Sequence, residues 1–319
     1  MGNPRLTTCL FVAVGTVLAG CGTDSGPSYV ANFRPPSVAP GYTRFLTPMA
    51  RGIAPGEDVE YCQWVAGPAS AALDVIDVFG MQSPTGHHAA LYATTETQFA
   101  VGETHICTEQ DMLSVAFIAG LGGEGTANTA NMLPDGLVFR VPVGQALMIN
   151  THWLNATDEV IDGQAVIDVK FAPASDQRQA ADLFANDGRQ FQIRPGRTTF
   201  DASCVLQRDM NLVMAANHMH DHGATVFSEL IHPDGTKAML MSEPAWSAEE
   251  QFNPKYIKFS LDAPMIARAG DTYHTHCEWQ NNTTRTFAFP DEMCVGLAFY
   301  FPAQDHIVCL DGAWPSPRT

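Results

Sequence analysis

Gln164-Ala-Val-Ile-Asp-Val-Lys-Phe171 alternates Ile167, Val169 and Phe171 with Asp168 and Lys170. Side chains two apart on an extended chain share a face, so this run predicts a strand with one apolar and one polar surface. Leu137-Val-Phe-Arg-Val-Pro-Val143 and Ala71-Ala-Leu-Asp-Val-Ile-Asp-Val-Phe79 read the same way, separated by breaks rich in Gly, Pro, Asn and Asp. Beyond them, residues 190–194, 202–213, 224–232, 256–261 and 292–301 repeat the pattern, and His232-Pro-Asp-Gly-Thr236 supplies a turn. Few helical periods compete. The expectation is an all-β chain of two tandem antiparallel, jelly-roll-like β-sandwich domains. The polar stretch 172–179 marks the junction, giving domains at 45–173 and 174–319.

Composition agrees with strands and turns. The 319 residues are 45% hydrophobic and only 16% charged, with 26 Gly and 21 Pro. The formal net charge of -17 argues against nucleic acid or anionic lipid as partners, because both select basic surfaces.

The N-terminus reads as an address rather than as fold. Arg5, the apolar run from Leu10 to Leu18, and Leu18-Ala19-Gly20-Cys21 resemble a bacterial lipoprotein signal over residues 1–20, with Cys21 as the lipidated first mature residue. Residues 21–44 are rich in Gly, Ser and Pro and read as a tether, with folded sequence beginning near Phe45. The expected location is the bacterial cell envelope, lipid-anchored on the periplasmic side or at the cell surface. Disulfides form there. With Cys9 and Cys21 set aside, Cys62, Cys107, Cys204, Cys277, Cys294 and Cys309 remain, and six cysteines allow fifteen pairings among which sequence alone does not choose.

Histidines carry the chemistry. In Met214-Ala-Ala-Asn-His-Met-His-Asp-His-Gly-Ala-Thr225, an extended backbone would put His218 and His220 on one face, presenting two imidazoles to one point. His222 follows them, and His274 and His276 form a second His-x-His in Tyr-His-Thr-His-Cys277 that competes as a metal site. Gly86-His87-His88 is an adjacent pair, and adjacent strand residues point to opposite faces unless the backbone bends. His152 lies in the apolar run Met148-Ile-Asn-Thr-His152, where a hydrogen-bonded core histidine is the plainer reading. Met293, in Asp291-Glu-Met-Cys294, opens an apolar strand and would ordinarily be core. Beside two strand histidines its thioether completes a soft set of two nitrogens and one sulfur, which selects copper, especially Cu(I).

The order His87-His88, His152, His218-x-His220 and Met293, together with the six cysteines, resembles the copper type II, ascorbate-dependent monooxygenases, the group of peptidylglycine α-hydroxylating monooxygenase and dopamine β-monooxygenase. The resemblance implies disulfides Cys62–Cys107, Cys204–Cys309 and Cys277–Cys294, and two coppers per chain facing a solvent-filled cleft. It implies that His87, His88 and His152 hold the electron-transfer copper, while His218, His220 and Met293 form the catalytic site that activates dioxygen. His222, His274 and His276 match no ligand of the family. The implied reaction hydroxylates a carbon–hydrogen bond of a small-molecule substrate with dioxygen and an external one-electron reductant, ascorbate in the family.

Two departures bear on the substrate. Where the peptide-hydroxylating members carry an arginine and a tyrosine that anchor a substrate carboxylate, this chain has Ala216 and Leu297. A C-terminal glycine peptide is therefore not expected. The apolar surroundings of Leu297 and Phe299 point to a hydrophobic or aromatic substrate. The competing reading is a cell-envelope lipoprotein that binds or sequesters copper without oxygenating anything. A histidine zinc hydrolase lacks a well-placed carboxylate base.

Overall fold

The computed structural model describes residues 33–67, 70–94, 98–108, 111, 115–122, 128–129, 133–251, 254–289, 291–304 and 306–314. The lipoprotein signal and Cys21 lie outside them. Regular structure among the described residues is nearly all strand, as the alternating runs predicted. Pairing begins ahead of Phe45: Tyr42–Leu46 runs antiparallel to Ala165–Pro173, and Phe33 is buried beside Val166.

The largest sheet among the described residues has eleven strands and passes through both halves of the chain. Gln179–Gly188 makes this possible. Its first residues, Gln179 to Ala181, pair in parallel with Leu137 to Phe139, and its later ones pair antiparallel with Cys294–Phe301. A five-stranded sheet centred on Asp58–Val65, Ala146–Leu154 and Gly86–Thr94 completes the first half. A four-stranded sheet in the order Gly196–Val205, Thr272–Asn281, Gly223–Ile231, Lys237–Glu243 completes the second.

The apolar faces of these strands form a core that also crosses the junction. Val213, Met214, Ala216 and Phe299 from the second half belong to one buried cluster with Ile118, Leu137 and Phe139 of the first. Phe299 is 1% exposed and meets Phe117 at 5.8 Å and Phe139 at 5.1 Å between ring centroids. This corrects one expectation. Phe299 joins the two halves of the protein, and its surface is spent on packing rather than offered to a substrate; Leu297 packs against the same cluster.

The three disulfides are Cys62–Cys107, Cys204–Cys309 and Cys277–Cys294, each closed within its own half. The last ties Thr272–Asn281 to the first residue of Cys294–Phe301.

Candidate metal centre

The first histidine group owes its shape to a β-bulge. Ala146–Leu154 pairs with Gly86–Thr94 so that His152 faces His88, while Trp153 faces Gly86. His87 is thus the extra residue, and the bulge supplies the bend that two adjacent histidines need to serve one point. Gly86 allows it: a Cβ there would lie 2.5 Å from Gln82 Cβ. Gln82 in turn donates from Nε2 to the carbonyls of His88 at 2.9 Å and His152 at 3.3 Å, holding both strands at the bulge.

Nδ1 of His152 lies 3.4 Å from Nδ1 of His87 and 3.3 Å from Nδ1 of His88. One ligand atom from each ring falls within 4.8 Å of the others. A single ring nitrogen carries at most one proton and cannot satisfy two facing nitrogens at once. Nitrogens bound 2.0–2.1 Å from one ion at near-tetrahedral angles lie about 3.3–3.4 Å apart. The donor set therefore fits one metal ion. On its far side His152 Nε2 meets Asp58 in a short contact, and Asn150 Nδ2 donates to Glu60 Oε2 at 2.9 Å. A carboxylate behind a metal-facing imidazole fixes ring orientation and tautomer.

In the second group, Met210–His218 ends at His218, and His220 lies just beyond the strand. The two rings still converge, with centroids 5.1 Å apart and planes at 89°. What holds the loop is one buried carboxylate. Glu292, 0% exposed, accepts the His222 N–H at 2.6 Å, the His220 N–H at 3.2 Å and the Trp279 Nε1–H at 2.9 Å. His220 Nδ1 lies 3.1 Å from the Asp291 carbonyl, to which it donates, leaving Nε2 with its lone pair. Trp246 Nε1 donates to the His220 carbonyl at 3.0 Å, and Met219 is buried among Trp246, Trp279, Cys277 and Cys294. Gly223 closes the loop because a Cβ there would lie 2.4 Å from Trp246 Cδ1.

Met293 is half-buried and directly precedes Cys294–Phe301. Its neighbours bracket the histidines: Asp291 accepts from His220, and Val295 pairs with His218. His222 is drawn elsewhere, its ring 4.3 Å from Phe287. His274 and His276 lie on the outward side of Thr272–Asn281, alternating with buried Tyr273, Thr275 and Cys277.

Four of the imidazoles, those of His87, His88, His218 and His220, are held neutral. Burial, with the charge of His152 next, pushes His87 down to about 4 against the pull of Asp58. Burial, then His152, His87 and His218, pushes His88 down to about 3, opposed by Asn150. His218 falls to about 3 through burial and His220, and His220 is lowered chiefly by burial. Neutral imidazoles keep the lone pairs that a metal needs. His218 acts on His88, and Glu60 and His152 act on His220, so the two groups lie within electrostatic reach of each other.

Asp58, Gln82, Trp246 and Glu292 were not singled out as functional from sequence. The only sequence signal among them is an acid, Glu292, set at the mouth of an apolar strand beside a methionine.

No curated protein matches the chain. Among solved structures it resembles the major capsid protein P2 of bacteriophage PM2, at 8% identity and TM-score 0.37 over 81% of this chain and 97% of that one. It also resembles infectious bursal disease virus, Gx strain, at 10% identity and TM-score 0.21 over 86% and 74%. Likenesses this distant bear on neither fold nor function. The family comparison is informative: residues 185–316 match the model described as copper type II ascorbate-dependent monooxygenase, C-terminal domain. Over this stretch, which contains His218, His220, Glu292 and Met293, the chain is similar to the C-terminal domain of the copper type II ascorbate-dependent monooxygenases.

Proposed function

We propose that the chain is a two-copper monooxygenase that inserts one oxygen atom from dioxygen into a carbon–hydrogen bond of a small molecule, drawing electrons from ascorbate or another one-electron donor. His87, His88 and His152 would hold one copper, and His218, His220 and Met293 the other. The observation that carries the reading is that His152 Nδ1 lies 3.4 Å from His87 Nδ1 and 3.3 Å from His88 Nδ1, in the half that the family match does not cover. Copper bound at these sets supplies one-electron transfer and dioxygen activation, with the soft thioether favouring Cu(I).

The protein's own residues prepare those sites. Asp58 orients His152, Gln82 fixes the strands that carry His88 and His152, and the Asp291 carbonyl sets the tautomer of His220. Ala216 is buried and Leu297 packs into the shared core, so neither position presents a cation or hydroxyl to a substrate carboxylate. The substrate class proposed is one not held by a carboxylate there.

The test is oxygen consumption by the copper-loaded protein with ascorbate and a panel of apolar and aromatic compounds, read with ¹⁸O₂. One labelled oxygen atom in a product, lost in Met293→Ala, is expected. Copper uptake with no reductant-dependent oxygenation of any candidate would move the assignment to a copper-sequestering envelope protein.

A further inference from the structure

We propose that Glu60 sets the redox preference of the first histidine group, its carboxylate favouring Cu(II) over Cu(I) there and so making that copper the electron donor of the pair. The inference rests on the two-copper reading and adds a residue to which that reading gives no role.

Placement carries it. Glu60 pairs in register with His152 across Asp58–Val65 and Ala146–Leu154, so the two side chains stand side by side on one face. Glu60 Oε1 lies 3.9 Å from His152 Nδ1, the nitrogen that faces His87 and His88. The carboxylate is therefore on the metal side of the ring, whereas Asp58 stands behind it at Nε2. The convergent donors are the three histidines, and Glu60 is not among them. Its charge acts across a gap rather than through a bond.

The carboxylate is fixed in that position. Asn150, 1% exposed, donates from Nδ2 to Glu60 Oε2 at 2.9 Å. The Cys107 N–H donates to the Glu60 carbonyl at 2.9 Å, beside the Cys62–Cys107 disulfide. Among the described residues no lysine or arginine pairs with Glu60, so its charge is not neutralised. That charge also reaches His220 of the second group.

An ion held about 2.0 Å from His152 Nδ1 lies no more than about 6 Å from Glu60 Oε1. A negative charge at that distance attracts Cu(II) more than Cu(I), because the oxidised ion carries one charge more. At the effective dielectric of a protein surface this shifts the Cu(II):Cu(I) binding ratio by about one to two powers of ten. The Glu60 side chain is 39% exposed, which places the effect at the lower end. Tenfold corresponds to about 59 mV for one electron. A lowered potential at the first group, with a thioether favouring Cu(I) at the second, gives electron transfer its direction.

The experiment measures the Cu(II) and Cu(I) affinities of the first group separately, by chelator competition. It uses the full chain and a His218→Ala/His220→Ala background that isolates that group. Glu60→Gln keeps the side-chain shape and an oxygen for Asn150. It is expected to lower Cu(II) affinity about tenfold while Cu(I) affinity stays within about threefold, and Glu60→Asp to restore most of the native ratio. Circular dichroism checks folding, and Glu60→Ala gives the same reading if Glu60→Gln does not fold. A ratio within about twofold of native, or equal loss of Cu(II) and Cu(I) affinity as from a purely structural role, would overturn the proposal. Two coppers that survive His87→Ala/His88→Ala/His152→Ala would instead remove the two-copper reading, and this inference with it.

Discussion

Glu292→Gln is the sharpest probe of how the second histidine group is held. In the native protein Glu292 Oε1 accepts the His222 N–H, and Oε2 accepts those of His220 and Trp279 Nε1. Glutamine keeps one oxygen, which can serve at most two of these donors, and turns an amide NH₂ toward the third. A buried donor left without an acceptor costs about 1–3 kcal/mol, and the surviving bonds also lose the assistance of a charge. Burial raises the Glu292 carboxyl to about 7, against the three donors that favour its ionised form, so the comparison belongs at pH 8, where the carboxylate dominates. If the strain is relieved by displacing the 218–222 loop, Cu(I) affinity at the second set should fall about 10–100-fold, the usual effect of losing a group that orients metal ligands. The assay is anaerobic competition for Cu(I) with a chromophoric chelator, with circular dichroism to establish folding. Affinity at His87, His88 and His152 should not change. A folded variant whose second-site affinity stays within about threefold of the native value would refute the role given to Glu292.

Three further outcomes follow from the same structure. Asp58→Asn should weaken copper at the first set about 10–100-fold in the same competition, with a much smaller effect on the second set, because the ring that Asp58 hydrogen-bonds is His152. Phe299→Ala removes a ring packed on Phe117 and Phe139 and should lower urea stability by about 3–5 kcal/mol; a loss under about 1 kcal/mol would contradict a core shared by the two halves. Glu243, pushed up to about 7 mainly by burial and then by its contact with Glu250, binds its proton more tightly folded than unfolded. Its contribution therefore favours folding at low pH and is lost as pH rises from about 4.5 to 7. Glu243→Gln should flatten that decline in denaturation midpoints.

The strands were legible because apolar residues at alternate positions have no other economical use, and residues 164–171 fell where their pattern placed them. The three disulfides followed the family pattern. The bulge at His87 was not legible, since it is a property of how Gly86–Thr94 registers against Ala146–Leu154 rather than of either strand alone. Glu292 was opaque for a related reason. Its donors come from residues 220, 222 and 279, and nothing local to 292 announces them. Phe299 misled in the other direction: its apolar surroundings read as a place for a substrate, and sequence did not tell that they are the seam between halves.

The central claim is that Met293 supplies sulfur to one of two coppers. X-ray absorption of the Cu(I)-loaded protein, native and Met293→Ala, tests it most directly. Two coppers per chain are predicted, with a copper–sulfur contribution from one of them that the substitution removes while histidine scattering persists. A single copper, or sulfur scattering that survives Met293→Ala, would contradict the account.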